Sequence, residues 1–80
     1  MKNVTLVNYV NHYVYIYTTD ESVEVDIYSY TTSSRLGQFG WPISLGIIRN
    51  SSEVITWLRG LLHEAVSTIY DVTDGGMIPI

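Results

Sequence analysis

Over residues 4–19 the chain alternates. Val4, Leu6, Asn8, Val10, His12, Val14 and Ile16 form one parity set, and Thr5, Val7, Tyr9, Asn11, Tyr13, Tyr15 and Tyr17 form the other. A period of two marks a strand, whose successive side chains point to opposite faces. β-Branched and aromatic residues dominate both sets, as strands favour. A bend or bulge fits residues 8–11. Alternation resumes over residues 22–31, where Val23, Val25 and Ile27 are set against Glu24, Asp26, Tyr28 and Tyr30. The polar link "TDES" predicts a hairpin spanning residues 4–31.

Parity fixes the register of that hairpin. With Asp20 and Glu21 as the loop, Ile16 lies opposite Val25 and Val14 opposite Ile27. Tyr17 then opposes Glu24, Tyr15 opposes Asp26, and Tyr13 opposes Tyr28. A slip of one residue would mix the faces and bury the acids. The pattern therefore predicts an aliphatic inner face and an outer face of tyrosine and carboxylate. Tyr9, Tyr13, Tyr15, Tyr17, Tyr28 and Tyr30 are expected to share the outer face.

Residues 32–49 carry three glycines and Pro42. One strand is expected near residues 35–39 and a second near 43–48, separated by a break at "GWP". A helix follows over 51–70. Asn50 or Ser51 suits its N-cap, with Glu53 as the capping-box acid. At 100° per residue, Val54, Trp57, Leu58, Leu61, Ala65 and Ile69 fall on one half of the cylinder, and Arg59, His63 and Glu64 on the other. Gly60 sits on the polar side, where the helix runs through it at a cost of about 1 kcal/mol. The tail, residues 71–80, offers "MIPI" as a short edge strand or as a segment packed on the helix, since Pro79 disfavours a central strand. The expected fold class is α+β: an antiparallel β-meander of about two to four strands with one amphipathic helix packed on one face.

Composition narrows the setting. The 80 residues form a single domain. No cysteine is present, so disulfides, thiol chemistry and Cys-based zinc sites are excluded. The N-terminus lacks the uninterrupted apolar core of a signal peptide. The longest apolar run, residues 43–48, is too short to span a bilayer. These features lead to an expected soluble, cytoplasmic protein with no membrane partner. The net charge of −4 disfavours binding to phosphates. Charged residues are only 15% and hydrophobic residues 46%, so a domain this small leaves apolar surface exposed, and such patches mark contacts.

Catalytic constellations are missing. His12 falls on the inward parity set and reads as a locally bonded histidine. His63 reads as a solvated helix residue. No nucleophile elbow is present, and "GQFG" and "DGG" lack a P-loop lysine. The carboxylates Asp20, Glu21, Glu24 and Asp26 lie on an open hairpin, where neither glycosidase geometry nor a calcium loop forms. The expectation is no enzyme, no cofactor and no metal. Tyrosines on a sheet also serve as stacking platforms for single-stranded nucleic acid, but those platforms need Lys and Arg where this face carries acids. Direct nucleic-acid binding is therefore not expected.

The tyrosine face is the candidate site: Tyr13, Tyr15, Tyr17, Tyr28 and Tyr30, with Glu24, Asp26, Asp20 and Glu21 beside them. Tyrosine supplies large contact area with few rotatable bonds, and carboxylates steer a basic partner. Three readings stay open. The face binds another protein, pairs with a second copy in a homodimer or accessory assembly, or is purely structural, since cross-strand aromatic pairs stabilise thin sheets.

The early hairpin "YVYIYTTDESVEVDI" and a capped helix containing Trp57, Leu58, Gly60 and Leu61 resemble the small inhibitors that phages make against host defence. The similarity is to anti-CRISPR proteins, those of type I-F in particular. It covers about half of the chain, which differs in having fewer lysines and one continuous helix. The resemblance implies a non-enzymatic inhibitor that docks on a CRISPR effector, a ribonucleoprotein complex of the host cell, and blocks target DNA binding. Tyr13, Tyr15, Tyr17, Tyr28, Glu24 and Asp26 are the contacts it implies.

Overall fold

Residues 1–80 are described by a computed structural model. Strands β1 (Asn3–Tyr9), β2 (His12–Thr18), β3 (Ser22–Ser29) and β4 (Arg35–Pro42) run in sequence. A 3₁₀ turn (Ile43–Leu45), helix α1 (Ser51–Leu62), β5 (Val66–Asp71) and β6 (Ile78–Pro79) follow. They form one six-stranded antiparallel sheet of order β4-β3-β2-β1-β5-β6. The α+β class holds, but the sheet is larger than the meander the sequence suggested.

The β2–β3 register is the one parity demanded: Tyr13↔Tyr28, Val14↔Ile27, Tyr15↔Asp26, Ile16↔Val25 and Tyr17↔Glu24. The stretch expected as one bent strand instead turns back on itself at Val10 and Asn11. Val7 then pairs with Val14, and Leu6 with Tyr15. That reversal flips parity along β1. Val7 and Tyr9 join the inner face, while Leu6 and Asn8 join the outer one.

The helix ends eight residues sooner than its apolar period suggested. His63 adopts the left-handed conformation (φ 55°, ψ 39°), and its N–H closes on the Arg59 carbonyl. Val66–Asp71 then pairs with β1 as β5. β-Branched Val66, Thr68 and Ile69 suit a strand, and β1 would otherwise be an open edge. At the other end, Asn50 Oδ1 accepts the Glu53 N–H at 3.0 Å. Glu53 Oε2 reaches back to the Arg49 N–H at 2.9 Å, a capping box offset by one residue.

Two expectations in the middle segment fail. β4 runs straight through Gly40 and Trp41 to Pro42 rather than breaking there. Residues 43–48 form the 3₁₀ turn and a loop, not a strand. Pro42 is tolerated because it is the last residue of an edge strand. The Ile43 N–H bonds the Glu21 carbonyl at 2.9 Å, and Gly46 (φ 70°) ends the turn in a conformation that glycine adopts freely. Gly37 serves a different need. A Cβ there would lie 3.1 Å from Phe39 Cε2, so the Phe39 ring folds over its own strand. Of the two placements open to the tail, it takes the edge strand, the two-residue β6.

The core is the inner face of the sheet against one helix. Val7, Val14, Ile16, Val23, Val25, Val54 and Leu58 have no exposed surface, and Tyr9, Ile27 and Ile48 complete the cluster. Burying each such aliphatic side chain stabilises by about 1.5–3 kcal/mol. No helix is long and apolar enough to cross a membrane.

One contact links the helix end to the first turn. Beyond His63, the Glu64 Oε1 accepts the Asn11 N–H at 2.6 Å, and Oε2 lies 2.6 Å from His12 Nδ1. Both side chains are largely buried, at 20% and 11% exposure. Glu64 thus satisfies the β1–β2 turn and fixes where β5 begins. Glu64→Ala should lower stability by about 1–2 kcal/mol, chiefly because it removes the partner of the part-buried His12 imidazole, while the exposed Asn11 N–H turns to water. Urea unfolding measures this, and a loss below about 0.5 kcal/mol would mean that the contact is incidental.

Candidate outer tyrosine face

β2 and β3 build the face by alternation. Tyr13, Tyr15 and Tyr17 stand on β2, and Glu24, Asp26 and Tyr28 stand opposite them on β3. Tyr13 and Tyr28 stack with ring centres 5.0 Å apart and planes within 6°. Tyr15 meets Tyr13 and Tyr28 edge-on at 6.2 and 6.1 Å, and lies 6.4 Å from Tyr17. Such aromatic pairs contribute about 0.5–1.5 kcal/mol each beyond their buried area.

Tyr30 lies just past β3. Its N–H bonds the Asn11 carbonyl, which brings its ring to 4.8 Å from Tyr13. Its hydroxyl donates to Asn8 Oδ1, and Asn8 Nδ2 donates to Thr68 Oγ1. At the opposite end, Thr19 Oγ1 accepts the N–H groups of Glu21 and Ser22. That turn holds Asp20 and Glu21 exposed beyond the sheet. All nine side chains expected at the site are therefore brought to one surface, with Asp20 and Glu21 at its rim.

Tyr9, expected among them, is on the other face. It is 2% exposed, and its hydroxyl donates to the Ile55 carbonyl at 3.2 Å. The β1–β2 turn is the physical reason, since it inverts parity between Tyr9 and Tyr13.

Sequence reasoning missed four members. Leu6, 9% exposed, sits across the strands from both Tyr15 and Tyr70 and gives the outer face a buried apolar point. Tyr70 arrives on β5, where a helix had been expected. Lys2 Nζ lies 4.7 Å from the centre of the Tyr17 ring. Arg35 pairs with Tyr28 across β3–β4, and its Nη1 donates to Gln38 Oε1 at 3.4 Å. Tyr70 and Arg35 have the outward parity, but only the β5 pairing and the β4 register reveal it.

The electrostatics follow from this crowding. Burial, then the Asp26 charge, pushes the Tyr17 hydroxyl above its ordinary value. Burial, then Tyr13, does the same to Tyr30. The Tyr28 hydroxyl as hydrogen-bond acceptor, then the Asp26 charge, raises Arg35. The hydroxyls of Tyr13, Tyr15 and Tyr17 donate to no acceptor within the protein, so they are free to bond elsewhere. The chemistry available here is contact: broad aromatic area, unused hydroxyl donors and a carboxylate rim.

No protein-family model, curated protein or solved structure matches the chain.

Ionisation separates the inner tyrosine from the outer ones. Burial raises the Tyr9 hydroxyl from 10.0 to about 12. A raised folded-state value means this stability is complete below pH 10 and is lost as pH rises through about 12. Absorbance titration of phenolate should show Tyr9 ionising last, together with unfolding. Tyr9→Phe should remove that final step and cost about 1 kcal/mol through the lost bond to Ile55. If the late step survives in Tyr9→Phe, the inward placement of Tyr9 is wrong.

Proposed function

We propose that the protein is a small, non-enzymatic, protein-binding inhibitor that docks through its outer tyrosine face. The observation that carries this reading is the segregation itself. The inner face holds the core cluster and the helix, while the outer face concentrates tyrosines and carboxylates with no covering element. Structural tyrosines alone would not need unused hydroxyls around a buried leucine. A cluster of aromatics rimmed by charge is the arrangement protein contacts favour.

The target is a CRISPR effector complex, and docking blocks its access to target DNA. This part of the proposal rests on the resemblance of the hairpin and capped helix to type I-F anti-CRISPR proteins. It places the protein, as a phage product, in the cytoplasm of the infected cell. The face is acidic at its rim, so the partner is a basic protein surface rather than nucleic acid.

Affinity capture from bacterial lysates with active type I CRISPR systems tests this directly. Wild type should retain the effector complex, whereas folded Tyr15→Arg/Tyr28→Arg should lose it by at least about tenfold. Equal retention by both baits would leave the tyrosines structural and remove the proposal.

A further inference from the structure

The sheet has two edges, and they are not alike. β6 is two residues long, contains Pro79 and covers only the Tyr70–Asp71 end of β5, so that edge is short and interrupted. β4 is eight residues long and has no neighbour on its outer side. Hydrogen-bonded and non-bonded pairs alternate along an antiparallel ladder. The Ile43–Glu21 bond sets the phase. Trp41, Phe39 and Gly37 therefore spend their backbone groups on Val23, Val25 and Ile27. Gln38 and Gly40 point theirs outward, and the Pro42 carbonyl does the same. Leu36 to Pro42 carries no charge.

The strand is also complementary to itself. Set antiparallel to a copy with Gln38 opposite Gln38, "LGQFG" places both of its large apolar side chains against glycines. Leu36 faces Gly40, and Phe39 faces Gly37. Phe39 and its symmetry mate become diagonal neighbours on the helix side, within reach of aromatic contact. Each Phe39 already stacks on Trp41 at 6.2 Å and meets Trp57 edge-on at 5.1 Å. Pairing joins these two aromatic clusters and covers surface that is otherwise open, since Leu36 is 58% and Phe39 39% exposed. On the other side of the sheet the two Gln38 amides meet on the axis.

We infer that β4 is a self-association edge, and that two copies pair through it about a two-fold axis at Gln38. The contact is isologous, so assembly through it closes at a dimer. The inference goes beyond the docking proposal and leaves the tyrosine face free. Two such faces become continuous across the doubled sheet.

The test uses the full chain. Sedimentation equilibrium from micromolar to millimolar concentration should show a reversible monomer–dimer equilibrium. Gln38→Pro removes only an outward N–H and sits on an edge strand, so the monomer should fold unchanged by circular dichroism. The dimer loses one bond per chain, and its Kd should rise by about tenfold or more. If Gln38→Pro fails to fold, amide exchange in wild type decides. Gln38 and Gly40 should gain protection as concentration rises, while Phe39 and Trp41 stay protected throughout. A wild type that remains monomeric overturns the inference. So does unchanged exchange at Gln38 and Gly40, or a dimer that survives Gln38→Pro and dissolves in Tyr15→Arg/Tyr28→Arg.

Discussion

Everything in this molecule hangs on the dry seam between the sheet and α1. Val14, Ile16, Val23 and Val25 alternate along β2 and β3, and all four are fully buried beneath Val54 and Leu58. A slip of one residue in that ladder would bring Tyr15 and Asp26 into the seam and expose the aliphatics. The cost would be several buried side chains at about 1.5–3 kcal/mol each, together with the desolvation of a carboxylate. One register is thereby fixed. Because strand geometry permits no third direction, the same constraint forces the tyrosines and acids onto the opposite surface. The candidate site is thus the obligatory complement of the core.

Much of this was legible in the chain. The β2–β3 pairing, the capped start of α1 and the passage through Gly60 follow from local chemistry. The misses share a cause: each was decided by a partner distant in sequence. Val10 and Asn11 form a tight turn without a glycine, so only the pairing of β1 with β2 exposes the parity flip that turns Tyr9 inward and Leu6 outward. Residues 65–69 fit a helical period better than a strand's, because Val66 and Ile69 are three apart; the register shift between Asn8 and Tyr9 is what lets both pack on the core from β5. What tips the balance is the vacant side of β1, together with Glu64, which leaves the helix at His63 to hold Asn11 and His12. Likewise, "GWP" reads as a break until β3 is seen to need a neighbour.

The division of labour between faces also explains how so small a domain carries a broad surface. A single twelve-residue helix covers the inner face, with Trp41 and Trp57 meeting edge-on at 5.0 Å to close the β4 side. Nothing has to be folded back over the outer face, so the tyrosines stabilise one another laterally. Their stacking ties the strands together while leaving Tyr13, Tyr15 and Tyr17 with free hydroxyls. Structural and contact roles coexist there, since lateral packing fixes rotamers in advance and lowers the entropy lost on binding. Along β4, the glycines that let Phe39 fold over its own strand also leave flat positions for a second chain.

The most direct test of the central claim is oxidative footprinting of the protein, free and mixed with a purified type I-F CRISPR effector complex. The account predicts that Tyr13, Tyr15, Tyr17 and Tyr28 become protected in the mixture while Trp57 on the helix side keeps its free-state reactivity. Protection of Trp57 with the four tyrosines unchanged, or no protection anywhere, would contradict it.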